Sequence, residues 1–192
     1  MEQRRVFVLL GHPDKETLSG ELATAYEDAA RAAGHEVRRL NVGELSFDPI
    51  LHKGYKVIQE LEPDLKLVQE HMRWCDHFVL IYPLWWSSMP ALLKGMWDRM
   101  FLPAFAFRFN KGKPGWQKLL SGKTARVITL SKSEPWQIWL LFGDFTNEIA
   151  RALLGFAGFK VSVTTLGSAE NLSPSRNAYL VRKVKTLAKR AR

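Results

Sequence analysis

The sequence predicts an α/β fold, a doubly wound sheet of five parallel strands in the order 2-1-3-4-5 with helices on both faces. Five short apolar runs alternate with segments of helical periodicity, and most of these runs are apolar on both faces of the strand they would form. Polar or aromatic loops follow the first, third and fourth runs. This alternation is typical of a parallel sheet with right-handed crossovers.

The elements follow from these patterns in chain order. Strands are predicted at residues 5–10, 35–41, 77–82, 123–130 and 160–166, and the second has only Val37 and Leu40 facing inward, which places it near a sheet edge. Helices are predicted where apolar residues recur at helical spacing. These helices span residues 21–33, 63–74, 90–101, 145–156 and 173–191, whereas residues 42–61 are irregular and residues 108–122 form a long loop.

Length and composition predict a single domain, residues 1–192, since 46% of the residues are hydrophobic and α/β domains commonly reach this size. No run of about 18 apolar residues occurs, so we expect no integral membrane segment. The apolar stretch near the N-terminus is too short for a secretory signal, so we expect a cytoplasmic location. Cys75 is the only cysteine, which excludes an intrachain disulfide and a cysteine-based metal site, and we expect no metal.

The charge is strongly positive, with 28 Lys and Arg against 19 Asp and Glu, a net of +9. Such a balance favours anionic partners such as phosphorylated cofactors, nucleic acid or acidic membranes. Many of the cations fall in the last predicted helix, where a solvated basic face explains them without a partner. No zinc motif, recognition helix or RNA-binding strand signature accompanies the charge, so we expect no nucleic-acid partner.

The first loop, residues 11–20, has the composition of a phosphate site. The hydroxyls of Thr17 and Ser19 and the positive end of the following helix converge there, and His12 can add a donor. The alternative is that Thr17 or Ser19 only caps the helix.

The loop after the third strand is aromatic. Trp85 and Trp86 occupy a strand-to-helix loop, where small polar residues are usual, so a flat ligand is indicated, although the tryptophans could instead serve only in packing. The fourth strand ends in a similar way, with hydroxyls at Thr129 and Ser131 followed by Trp136.

A phosphate loop beside an aromatic loop at the switch point of the sheet suits flavin mononucleotide, an anion joined to a flat ring. A dinucleotide site of the Rossmann type is less supported, because no G-x-G-x-x-G follows the first strand. FMN is favoured over FAD, which stays possible, because the chain is short and leaves no extension to cover an adenosine.

Two blocks of sequence carry a family resemblance. GHP at 11–13 with TLS at 17–19, and YPLWWSSMPALLKG at 82–95 with DRMF at 98–101, resemble the NAD(P)H:quinone oxidoreductases, which have a flavodoxin-like fold. The resemblance implies a homodimer with a bound flavin that is reduced by NAD(P)H and reoxidised by quinones. It also implies a set of cofactor contacts: His12, Thr17, Leu18 and Ser19 around the phosphate, and Pro83, Leu84, Trp85 and Trp86 along the ring.

The expected function is therefore two-electron reduction of a quinone or related aromatic acceptor by NAD(P)H, with the two substrates alternating in one pocket. The flavin carries the hydride, so no catalytic residue is expected from the protein. Trp86 and Trp136 are predicted to form the walls of the substrate pocket. The homodimer is predicted to form through apolar surface between residues 97 and 109.

Two other function classes remain open. One is a regulatory flavin-binding subunit of a potassium efflux system, a role in which similar proteins occur. The other is a one-electron carrier like flavodoxin, which the basic charge disfavours because such carriers are typically acidic. Turnover of NAD(P)H distinguishes the quinone reductase from the regulatory subunit.

Overall fold

A computed structural model describes residues 2–191. Its main sheet contains five parallel strands, and their spatial order confirms the predicted 2-1-3-4-5 arrangement once the two strands of a small separate hairpin are set aside. In chain order the elements are β1 (Arg5–Leu10), α1 (Leu18–Ala32), β2 (Glu36–Asn41), α2 (Pro63–Trp74), β3 (His77–Pro83), α3 (Ala91–Met100), β4 (Phe107–Phe109), β5 (Trp116–Lys118), β6 (Thr124–Leu130), α4 (Pro135–Phe142), a π-helix (Glu148–Gly155), β7 (Lys160–Leu166) and α5 (Pro174–Arg190).

The central strands are buried on both faces, as their unbroken apolar runs predict. Residues 6–10 of β1 and residues 77–82 of β3 are all buried, whereas β2 at one edge buries only Val37. Helices α1 and α5 cover one face through Tyr26, Leu180 and Val184. Helices α2 and α3 cover the other face together with the π-helix. The carboxyl ends of all five strands therefore meet at one edge, which is where ligands bind in such sheets.

Three segments differ from the sequence prediction. The loop expected at 108–122 contains the antiparallel pair β4 and β5, whose turn uses Gly112 and Gly115 with φ of 70° and 92°. An additional helix, α4, begins at Pro135 with a capping box between Glu134 and Gln137. The helix expected at 145–156 is a π-helix over Glu148–Gly155.

The apolar segment that follows α3 is mostly core rather than surface. Trp97, Met100, Phe101 and Phe105 are buried within the chain, so within the predicted dimer surface the large apolar side chains that reach the surface are Leu102, Phe107 and Phe109. The ring of Phe101 packs edge to face with those of Trp97 and Phe105. Phe109 is the exposed large apolar side chain of this stretch.

No helix within residues 2–191 combines the length and the apolar character needed to cross a bilayer.

Candidate functional site

Four loops lie together at the carboxyl edge of the sheet. They follow β1, β3, β6 and β7, and backbone hydrogen bonds tie the ends of neighbouring strands and loops to one another. Because these bonds use main-chain groups, the loops are held by the fold itself rather than by particular side chains. The bonds run from the N–H of Gly11 to the carbonyl of Ile81 (2.8 Å), from Leu84 to Leu130 (2.7 Å), from Ser131 to Leu166 (3.0 Å) and from Ala169 to Ser131 (2.9 Å).

A cavity of about 190 Å³ opens between these loops. Eight of the ten residues predicted to contact the cofactor line it, which brings the two predicted halves of the site together. The full lining is His12, Thr17, Leu18, Ser19, Pro83, Leu84, Trp85, Leu130, Ser131, Lys132, Ala169 and Glu170.

Thr17 is the N-cap of α1. Its hydroxyl accepts a hydrogen bond from the N–H of Gly20 (3.4 Å) and donates one to the carbonyl of Asp14 (3.2 Å). The capping role that the sequence left open is thus present. The first N–H groups of a helix have no intrahelical acceptor and carry the positive end of the dipole, so those of Leu18 and Ser19 can still serve an anion. The helix start remains suited to a phosphate.

Gly20 keeps the first loop close to the helix. A side chain at this position would overlap the carbonyl group of Lys15, which is backbone and cannot move aside without shifting the loop. The loop is further held by an ion pair between Lys15 and Glu44 at 2.5 Å. The first loop is therefore held close to α1 because Gly20 has no Cβ, and an ion pair ties it to the segment after β2.

His12 is oriented toward a donor role. Its Nδ1 accepts the N–H of Asp14 at 2.9 Å, so the proton of the neutral ring is on Nε2. The ring also meets Trp85 edge to face, with 5.4 Å between ring centroids. His12 thus connects the phosphate loop to the aromatic loop and leaves one N–H for a ligand.

The aromatic loop is a tight β-hairpin. Trp85 and Ser88 exchange both backbone hydrogen bonds (2.9 and 3.0 Å), and the two residues between them, Trp86 and Ser87, have φ of 51° and 59°. Two left-handed central residues define a type I′ turn, which normally uses Asn and Gly. Backbone strain of this kind is concentrated at functional sites. The turn leaves Trp86 99% exposed at the tip of the hairpin.

The hairpin is anchored from outside the cavity. The Ser88 hydroxyl donates to Glu148 of the π-helix (3.3 Å), and Glu148 lies 3.9 Å from Lys94 of α3. Partial burial alone would lower the pKa of Lys94, but its hydrogen bond to Asp98 and the nearby charge of Glu148 outweigh this and raise it. Lys94 therefore stays charged and supports the anchor.

Three predicted site residues lie outside the cavity lining. Thr129 is fully buried and its hydroxyl is paired with that of Thr165 at 3.0 Å, so its side chain does not face the cavity. Trp86 projects from the hairpin tip, and Trp136 lies in the first turn of α4 with 64% of its surface exposed. These two tryptophans offer aromatic surface near the loop edge rather than within the cavity.

Sequence reasoning missed part of the lining. Ala169 and Glu170 come from the loop after β7. Glu170 forms an exposed ion pair with Lys132, with 3.4 Å between the Lys132 nitrogen and the Glu170 oxygen. The signal was available, because the fifth strand of a parallel sheet ends at the same edge as the others.

Two titratable side chains of the protein core, Tyr82 and Cys75, stay neutral. Burial, with a smaller effect from Glu148, raises the pKa of Tyr82, so this phenol stays neutral. Burial also raises the pKa of the Cys75 thiol to about 12. Within residues 2–191 no three His, Cys, Asp or Glu side chains are grouped to hold a metal ion. The arrangement can hold an anion and a flat ring.

Curated proteins with similar sequences have related names. The chain is 26% identical over 141 residues to the uncharacterized NAD(P)H oxidoreductase YcaK of Escherichia coli, covering 68% of this chain and 71% of that protein. It is 26% identical to NAD(P)H dehydrogenase [quinone] 1 of Cavia porcellus, with coverage of 82% and 66%. It is 25% identical to the human ribosyldihydronicotinamide dehydrogenase [quinone], with coverage of 90% and 85%.

Solved structures share the fold over nearly the whole chain. Smu.1420 from Streptococcus mutans superposes with a TM-score of 0.78 at 25% identity, covering 97% of this chain and 99% of its own. An NAD(P)H:quinone oxidoreductase from Methanothermobacter marburgensis gives 0.81 at 20% identity, with 98% of each chain covered. The family model described as flavodoxin-like fold matches residues 4–191. The chain therefore belongs to the flavodoxin-like fold family and is similar in sequence to its NAD(P)H:quinone oxidoreductases.

Proposed function

We propose that the protein is a flavin-dependent NAD(P)H oxidoreductase that reduces quinones or related aromatic acceptors. One observation carries the proposal: a single cavity at the switch point brings the N-terminus of α1 and His12 together with the aromatic ring of Trp85. The names of the guinea-pig and human relatives, both quinone dehydrogenases, support the same activity.

The residues present fit a flavin. The backbone N–H groups at Leu18 and Ser19 and the Nε2–H of His12 would hold the phosphate, and Pro83 to Trp85 would lie along the ring. When bound, a flavin supplies hydride transfer, so the protein has to bind and orient rather than donate protons. At about 190 Å³ the cavity is smaller than typical ligand pockets, which leaves part of the flavin accessible to substrates outside it.

We further propose FMN as the flavin. One structural neighbour is an FMN-dependent NADH-azoreductase from Bacillus anthracis in complex with FMN, with a TM-score of 0.73 at 18% identity. The mass of the flavin released from purified protein distinguishes FMN from FAD. Release of FAD alone would contradict this assignment.

NAD(P)H and the acceptor are proposed to use the same exposed surface in turn, between Trp86 and Trp136. We expect parallel double-reciprocal lines when NAD(P)H is varied at several fixed concentrations of a water-soluble quinone, because the two substrates cannot occupy one surface together. Intersecting lines would show a ternary complex and separate sites. Flavin binding with NAD(P)H oxidation no faster than that of free flavin would instead favour the regulatory role.

A homodimer is proposed through α4. Besides Trp136, four large apolar side chains of this helix are 64% to 72% exposed, namely Trp139, Leu140, Leu141 and Phe142. Exposed apolar surface of this extent usually marks an interface. Light scattering at micromolar concentration should give twice the chain mass, and Leu141→Glu should shift it toward the monomer, whereas Thr186→Glu on α5 should not. A monomeric parent protein would contradict the proposal.

A further inference from the structure

The lining of the flavin cavity carries one positive side chain. Within residues 2–191, Lys132 is the only Lys or Arg among the residues that line this cavity. Lys132 forms an ion pair with Glu170, another lining residue, at 3.4 Å, and the two side chains are 76% and 57% exposed. An ion pair so open to water contributes little stability, so a ligand in the cavity can compete with Glu170 for the lysine.

The order of the strands determines which part of a ligand lies toward Lys132. The start of α1 follows β1, whereas Lys132 is the second residue after β6, and β3 lies between these two strands. Neighbouring strands are about 5 Å apart, so the two loops are separated by roughly 10 Å. A flavin whose phosphate is held at Leu18 and Ser19 and whose ring follows Pro83 to Trp85 therefore has its ring, and not its phosphate, on the side of Lys132.

The backbone around Lys132 is fixed, so its side chain is the part that can turn. The N–H of Ser131 donates to the carbonyl of Leu166 (3.0 Å), and the carbonyl of Ser131 accepts from the N–H of Ala169 (2.9 Å). The Ser131 hydroxyl donates to the carbonyl of Ser133 (2.8 Å), which links the residues on either side of Lys132. The ammonium group can consequently move between its carboxylate partner and a ligand without a change in the loop.

We propose that Lys132 stabilises the reduced state of the bound flavin and that Glu170 weakens this effect, an inference that rests on the proposed function. A hydride consists of one proton and two electrons, so a neutral ring that takes one from NAD(P)H, releasing NAD(P)⁺, gains one negative charge. A nearby ammonium group stabilises the charged form more than the neutral form and thereby raises the reduction potential, whereas a nearby carboxylate lowers it. Lys132 and Glu170 thus act in opposite directions.

The reduction potential of the bound flavin, measured by equilibration with redox dyes in the absence of NAD(P)H and quinone, tests the proposal. Lys132→Met should shift the ratio of affinities for reduced and oxidised flavin about fivefold toward the oxidised form, which lowers the potential by about 20 mV for a two-electron couple. Glu170→Gln should shift the potential in the opposite direction. Both shifts should decrease as salt is added, since these side chains are open to water.

Two kinds of control separate the local charge from other effects. Lys132→Arg keeps the charge and should leave the potential close to that of the parent protein. Arg38→Met and Glu70→Gln make the same changes of net charge at another exposed ion pair, at 3.3 Å, whose residues do not line the cavity, and should leave the potential unchanged. Equal shifts in Arg38→Met and Lys132→Met would show an effect of net charge alone and would overturn the proposal.

The outcomes distinguish this proposal from the proposed function. Flavin that binds with the expected potentials in a protein that reduces no quinone would contradict the function alone. An unchanged potential in Lys132→Met would overturn the role of Lys132 alone, and a higher KM for NAD(P)H in that variant would then place this lysine beside the nucleotide phosphates instead. A parent protein that binds no flavin would contradict both.

Discussion

Thr17→Asp is expected to weaken flavin binding at least about tenfold, whereas Thr17→Asn should bind flavin within a few-fold of the parent protein. Asp and Asn are both good N-caps and nearly the same size, so each can preserve the start of α1. Only Asp adds a negative charge beside the N–H groups of Leu18 and Ser19, where the flavin phosphate is proposed to lie. The difference between the two variants isolates the charge from the cap.

Fluorescence titration of the flavin-free protein with FMN measures both affinities. Thermal unfolding without flavin should give similar midpoints for the two variants, which confirms that the helix start is intact. If Thr17→Asp binds FMN as tightly as Thr17→Asn, the phosphate is bound elsewhere and the proposed orientation of the flavin is wrong.

Arg99→Met is expected to lower the free energy of unfolding by about 3 kcal/mol, the lower end of the range for breaking a buried ion pair, because the Glu62 side chain stays 28% exposed. Arg99 is 1% exposed, and its guanidinium donates to both carboxylate oxygens of Glu62 (3.1 and 3.0 Å) and to the carbonyls of Asp48 and Glu60. It thereby fastens the irregular segment before α2 onto α3. Without it, these acceptors lose their donor.

Urea unfolding at pH 7 measures this loss, with Arg5→Met as the matched control. Arg5 also forms an ion pair, at 2.7 Å from Asp76, but both side chains are nearly half exposed, so its removal should cost much less than that of Arg99. Equal losses in the two variants would contradict the structural role of Arg99. If Arg99→Met does not fold, Glu62→Gln keeps the question testable.

The contribution of Glu62 should disappear at low pH. Burial alone would raise the pKa of Glu62, but hydrogen bonds from its own backbone, from Arg99 and from Asp48 outweigh this, so it lies below the ordinary 4.5. A lowered pKa in the folded state stabilises the protein above the unfolded value and loses that effect as the pH falls through the folded value. The unfolding free energies of the parent and Glu62→Gln should therefore differ at pH 7 and converge below pH 4.5.

The sequence by itself determined the sheet and the position of the site within it. Short, mostly apolar runs such as residues 6–10 and 77–82 have the length and composition of strands buried on both sides, and their alternation with helices favours parallel pairing. Because parallel strands end at a shared edge, the first and third loops had to meet there. Eight predicted residues consequently line one cavity.

Only the tertiary structure decided which apolar side chains the chain itself covers. The apolar residues Trp97, Met100 and Phe101 suggest an interface from sequence alone, yet they are needed to fill the core beneath α2 and β3. Conversely, Ile58 and Phe109 carry no periodic signal, because their segments are irregular or short, and they become a groove only when α3 and the π-helix bring them together. Local patterns determine how a segment buries its own face, whereas exposure depends on neighbours that are remote in sequence.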